Sequence, residues 1–439
     1  MIIKAFFTNS FGILVSRILG FIRDLLTASV LGANIYSDIF FIAFKLPNLF
    51  RTIFAEGAFT QAFIPAYARI KNKLRFSTII FVNFTGFILL FSIFVTLFAS
   101  IVTKLIAIGF DEATVDLAAP LVAINFYYLP LIFIVTFMGA LLQYKNHFAT
   151  TAFSTALLNI AMIIALLLAR GLDEYTITYY LSYGVIAGGI LQVIAHIIAI
   201  KQKGLTKNFV CDVKKWKIKT KIKTKEFYNK FYHSTLGSST AQISAFIDTW
   251  LASFLVSGSI SYLYYANRLF QLPLALFAIA LSVALFPSIA RAIKNEDLDK
   301  ALLMLRKSFW ILFALLGIAT LIGIIFAREI VWLLFERGAF DNEDTYNTSI
   351  VLIAYMIGLL PFGLNKVFSL WLYSHQKQLI AAKISAKSLI ANIIFSLIMI
   401  APFGAVGLAF ASTLSGFILL FLTIKEFGFQ LFWQRIIKL

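Results

Sequence analysis

Three charged side chains, Arg17, Arg23 and Asp24, interrupt the apolar run from Ile2 to Leu31, inside the stretch SRILGFIRD. Asp38, Lys45, Arg51 and Glu56 interrupt the next apolar stretch, and Arg268 and Lys366 fall in later ones. A charge at bilayer depth is costly unless it faces a partner or a water-filled cavity. Pairing of arginine with carboxylate would account for some of them, but these six cations face only three anions. With every carboxylate paired, positive charge is left over. Such a surplus points to recognition of an anion, and arginine's planar fork suits phosphate in particular. Arg17 and Asp24 share one helical face, with Gly20 between them where a neighbour or ligand could approach closely. Asp38, Lys45 and Glu56 share a face if their helix is continuous; Pro47 is expected to kink it and Gly57 to soften it.

The elements that would hold these charges are membrane spans. Hydrophobic residues make up 61% of the 439 and charged ones 13%, too little polar surface for a soluble fold of this length. Apolar windows of about 20 residues predict twelve spans, centred near Gly20, Leu49, Leu90, Leu129, Met162, Gly188, Ala245, Ala278, Leu316, Met356, Ile393 and Phe417. The N-terminal run reads as a retained first helix, because no small-residue cleavage site follows it. Alternate connections carry the Lys and Arg, among them Arg69 to Arg75, Lys145 and Lys201 to Lys225, while GFDEATVD (109–116), RGLDEY (170–175) and FERGAFDNEDT (335–345) are acidic. That asymmetry predicts cytoplasmic termini. It also accounts for the net charge of +18 without nucleic acid. The run KKWKIKTKIKTK (214–225) is expected to lie against anionic phospholipids, as a short amphipathic segment. The single Cys211 excludes an internal disulfide, the four histidines form no metal-binding pair, and no phosphate loop is present. No cofactor or metal is expected.

The basic run divides the chain into residues 1–203, a linker over 204–226, and residues 227–439. FIRDLLTASVL (21–31) aligns with FIDTWLASFLV (246–256), KLPNLF (45–50) with QLPLAL (271–276), and FIPAYAR (63–69) with LFPSIAR (285–291). Six spans per half makes the repeats parallel, about an axis along the membrane normal. The expected fold is an all-α integral membrane protein, with two six-helix lobes around a central cationic cavity that opens to alternate sides.

Three strings, SRILGFIRDLLTASVLGA, SDIFFIAFKLPNLFRTIFAEGAFTQAFIP and YYANRLFQLPLALFAIALSVALFPSIAR, resemble signatures of the MurJ (MviN) family of lipid II flippases, within the multidrug/oligosaccharidyl-lipid/polysaccharide exporter superfamily; LFERGAFDNEDT adds a shorter match. The resemblance implies a transporter rather than an enzyme. It implies movement of undecaprenyl-diphosphate-linked disaccharide-pentapeptide, lipid II, across the bacterial inner membrane for peptidoglycan synthesis. Carried over by motif, Arg17, Arg23, Asp24, Asp38, Arg51, Ser261 and Arg268 would bind the substrate, with Lys45 and Glu56 in the same strings. Asn267 stands where the family more often has Asp, and two C-terminal helices of typical members are not expected here. A monomer working with cell-wall synthesis enzymes is the expected state. Competing readings are a flippase for another polyprenyl-diphosphate saccharide, a small-molecule exporter of the same fold, and a membrane enzyme cleaving diphosphates. The last lacks a visible nucleophile or metal cluster, and the exporter of cationic drugs fails on charge sign.

Overall fold

Only a helix satisfies its own backbone groups when it crosses lipid alone, so apolar windows of span length demand helices. The computed structural model describes residues 2–55, 58–205 and 224–438, and every regular element among them is helical. Glu56, Gly57, Cys211 and residues 214–223 of the basic run lie outside the described residues. The chain divides into two compact units, Met1–Gln242 and Ile243–Leu439.

The first unit contains α1 (Ile2–Leu31), α2 (Ile35–Ala55), α3 (Ala58–Arg69), α4 (Lys73–Leu97), α5 (Ala99–Ile106), α6 (Glu112–Phe126), α7 (Tyr128–Tyr144), α8 (Ala149–Leu168) and α9 (Glu174–Gln202). Polar residues in the connections set where helices begin. Asn34 accepts backbone N–H bonds from Tyr36 and Ser37, while Asp111 and Asp173 cap α6 and α9 through Thr114 and Thr176. Small residues let α1, α8 and α9 approach closely, the usual device where lipid removes the hydrophobic drive for helix association. A Cβ added at Gly12 would lie 2.7 Å from that of Ala152, and one at Gly188 2.8 Å from the Cα of Leu158. Phenylalanines fill the space beside α3, α4 and α7. Phe59 stacks on Phe63 at 5.3 Å, and its ring meets that of Phe133 edge-on at 5.5 Å. The next helix, α10 (Lys225–Ala252), starts by inserting Phe227 into this cluster, fully buried and 5.8 Å from Phe59.

The second unit holds α11 (Ser259–Pro273), a π-helical segment (Leu274–Ile279), α12 (Ala280–Lys294), α13 (Leu298–Ile325), α14 (Ala327–Phe335), α15 (Asn342–Ile357), α16 (Leu359–Ser374) and α17 (Gln378–Phe427). The 50 residues of α17 are two helices joined at Gly404, whose φ of 54° and ψ of −131° break the helix. Ser388 donates to the carbonyl of Ser415 at 2.8 Å, and Asn392 to Ser412 Oγ at 3.1 Å. Those pairings run in opposite directions from Gly404, so the two arms form an antiparallel hairpin.

Eight described helical stretches are long and apolar enough to cross a membrane: 73–97, 112–144, 149–168, 174–202, 259–294, 298–325, 342–374 and 378–427. Against the twelve predicted spans, the hairpin of α17 accounts for two within one stretch. The windows near Gly20, Leu49 and Ala245 fall on α1, α2 and α10, outside the eight. For α2 the reason is charge, since any 18 consecutive residues of it contain Asp38, Lys45 and Arg51. Parts of α1 and α10 lie outside the described side chains. Large apolar side chains such as Phe87, Leu90 and Leu97 of α4 are exposed by 66%, 69% and 73%, which suits contact with lipid and not with water.

Candidate functional site

In the first unit the charged side chains divide into a buried network and an accessible set. Arg23 and Asp24 are 7% and 3% exposed. The Arg23 Nη2 donates to Asp24 Oδ1 at 2.6 Å and its Nε to the same oxygen at 3.1 Å. Its Nη1 crosses to α8, donating to Asn159 Oδ1 at 3.0 Å, and Asn159 in turn donates to the carbonyl of Ser16 at 2.9 Å. Gly20 makes room for this, since a Cβ there would stand 3.2 Å from the Asn159 amide. Asp24 thus pairs with its chain neighbour Arg23, while Arg17, two turns earlier along the same face, is exposed. On α2, which runs through Pro47 unbroken, Asp38 is buried in the first turn and Lys45 and Arg51 are half-buried. Arg51 Nε donates to Asn48 Oδ1 at 3.0 Å.

In the second unit Arg268 is half-buried on α11. Its guanidinium carbon lies 4.8 Å over the ring of Tyr264, one turn earlier, and Nη2 donates to the Tyr264 hydroxyl at 2.8 Å. Ser261, on the same helix, is fully buried. Asn267 accepts a hydrogen bond from the side chain of Gln271. Lys366 is exposed on α16.

Charge counting along the sequence misses one carboxylate. Asp248, near the end of α10, accepts from Ser412 Oγ at 3.1 Å; Asn392 donates to that same oxygen, and Ser244 donates to Asn392 Oδ1 at 3.3 Å. In the internal repeat Asp248 stands where Arg23 stands in the first half, so equivalent positions carry opposite charges. It adds a fourth anion against the six cations, which trims the cation surplus without cancelling it. The signal was available in FIDTWLASFLV, where an aspartate sits among apolar residues. Among the described residues no group of three or more His, Cys, Asp or Glu could hold a metal ion.

The family model for lipid II flippase MurJ matches residues 27–438. The chain belongs to the lipid II flippase MurJ family. Asp38, Lys45, Arg51, Ser261 and Arg268 lie within the matched residues, and Arg17, Arg23 and Asp24 just before them. The probable lipid II flippase MurJ of Helicobacter pylori strain J99 is 50% identical over 418 residues, covering 92% of this chain and 90% of that one. The Haemophilus influenzae protein described in the same words is 36% identical over 424 residues, covering 92% and 81%. A solved structure of lipid II flippase MurJ in an inward closed conformation superposes with a TM-score of 0.83 at 28% identity, over 95% of this chain and 87% of that one. An inward-facing multidrug resistance MATE family transporter of the MOP superfamily gives 0.71 at 12% identity over 94% of each, a likeness of fold alone.

Proposed function

We infer that the chain is a lipid II flippase of the bacterial inner membrane: a multi-pass transporter that carries the lipid-linked peptidoglycan precursor between leaflets, and not an enzyme. The observation that carries the reading is the family match across residues 27–438. The intramembrane cations supply the chemistry the reading needs, because a diphosphate crossing a low-dielectric region must have its charge offset.

The finer architecture is a proposal: twelve spans in two six-helix lobes, over residues 1–203 and 227–439, joined by a basic linker over 204–226, with both termini cytoplasmic. A cationic cavity between the lobes would open to one side and then the other. The eight apolar stretches and the hairpin of α17 support it. Arg17, Arg51 and Arg268 are proposed to contact the diphosphate, because their side chains are exposed or half-buried. Arg23, locked to Asp24 and Asn159, is proposed to hold α1 against α8 and to lend its charge at close range. Asp38, Lys45, Glu56 and Ser261 are proposed to complete the substrate site, the linker lysines to lie on anionic phospholipids, and the protein to act as a monomer beside cell-wall synthesis enzymes.

Depletion of the protein tests the function. Lipid II is expected to accumulate in the inner leaflet, measured by its protection from an externally added precursor-cleaving enzyme. Accumulation of a different polyprenyl-diphosphate saccharide, with lipid II distributed normally, would overturn the assignment.

A further inference from the structure

Away from the intramembrane charges, one cleft of about 560 Å³ gathers the ends of three candidate spans. Lys73 opens α4, Tyr144 closes α7, and Leu205 follows α9. Span ends that meet in space lie at one face of the bilayer, so the cleft sits at headgroup depth whichever side that face is on. Lys71, Lys73 and Lys145 line it, and none of its lining residues is acidic. None of these lysines enters an ion pair with another described residue.

Lys73 is held in place before any ligand arrives. Its Nζ donates to the Tyr144 hydroxyl at 2.6 Å and lies 4.9 Å and 5.8 Å from the ring centroids of Tyr144 and Tyr67. Tyr67 is buried, so the aromatic floor is fixed. An ammonium has three donors, and one is committed to Tyr144. Lys73 also occupies the first turn of α4, where the helix dipole favours a negative ligand. A restrained cation, two further lysines and no acid describe a receptor for a compact anion.

We propose that this cleft binds a phosphate group, either that of an anionic phospholipid headgroup at the membrane surface or a free phosphate ion. The proposal is independent of the transported substrate. The full chain in phosphatidylcholine nanodiscs, with and without phosphatidylglycerol, tests it by native mass spectrometry of retained lipid. A second arm titrates inorganic phosphate into phosphatidylcholine nanodiscs by calorimetry. Retention of phosphatidylglycerol over phosphatidylcholine assigns the headgroup, and binding in the calorimetric arm alone assigns the free ion. With each lysine near a headgroup worth about fivefold, K71Q/K73Q/K145Q is expected to weaken the interaction on the order of a hundredfold. Lys73→Arg should keep most of it. Tyr144→Phe, which removes only the hydroxyl that holds Lys73, should weaken it severalfold and guards against a triple variant that does not fold. Absence of binding in both arms with the wild-type chain, or equal affinity in a triple variant with unchanged thermal unfolding, would overturn the proposal.

Discussion

At the scale of single residues, burial separates arginines that look alike in sequence. Truncating Arg23 would leave Asp24 buried without its guanidinium, and breaking a buried pair costs about 3 to 5 kcal/mol. Arg23→Ala should therefore lower the thermal stability of the purified protein, and Arg23→Ala/Asp24→Ala should recover much of it. Arg268 is half-buried and leans on Tyr264, so Arg268→Ala should leave the folded level near wild type. Loss of the proposed charged hydrogen bond to substrate, worth about 1.5 to 3 kcal/mol, should cut its transport tenfold or more in a lipid II translocation assay. Transport by Arg268→Ala at the wild-type rate would remove that residue from the substrate site. A third residue-scale expectation concerns acid. Hydrogen bonds from the side chain and backbone of Thr176 hold the Asp173 carboxyl below its ordinary value, against the opposing effect of desolvation. A carboxylate whose pKa is depressed on folding stabilises the fold at every pH above its unfolded value, near 3.9. That contribution fades as pH falls through the lower, folded value. Asp173→Ala should thus lower the melting temperature at neutral pH, with the gap from wild type closing below about pH 4. A constant gap across that range would show that the carboxylate charge is not what caps α9.

Among the elements, spans are legible where apolar length and low charge coincide. Windows centred on Leu90, Leu129, Met162, Gly188, Ala278, Leu316 and Met356 each fall on one apolar stretch of the structure. The candidate charges are legible because lipid makes a charge conspicuous. Their partners are not, since Arg23 meets Asn159 across 136 residues and Asp248 meets Ser412 across 164, and no local pattern encodes such distances. The aromatic cluster is hidden for the same reason. With 47 phenylalanines in the chain, composition alone cannot mark Phe227 as the one that anchors the start of α10. Phe227→Ala should open a cavity costing about 3 to 5 kcal/mol, read as a lower melting temperature and as faster proteolysis at the start of that helix. Protease resistance equal to wild type would mean that other contacts seat α10.

For the whole molecule, the charge asymmetry of the connections makes a prediction that helix geometry alone does not. A cysteine placed near Asp341 should react with an impermeant thiol reagent added to intact cells, and the native Cys211 should not. Labelling in the reverse pattern would turn the protein over in the membrane. The compact units meet at Gln242 and Ile243, inside α10, whereas the basic run suggests a boundary over 204–226. The difference has a physical source. Charge marks only where an exit from the membrane is expected, whereas Phe227 seats the start of α10 in the first unit's core.

The hairpin of α17 has a consequence for how the protein is made. No charged residue stands between Lys387 and Lys425, so neither arm carries a topogenic signal at the Gly404 end. The antiparallel arms place both lysine-bearing ends on one side, so the two arms are expected to insert as a pair. A single straight helix of 50 residues would measure about 75 Å, more than twice the hydrocarbon thickness. Gly404 sits at a positive φ that side chains with a Cβ resist. Gly404→Leu should therefore act during biogenesis, stranding one arm outside the bilayer and exposing it to quality-control proteases before any substrate is met.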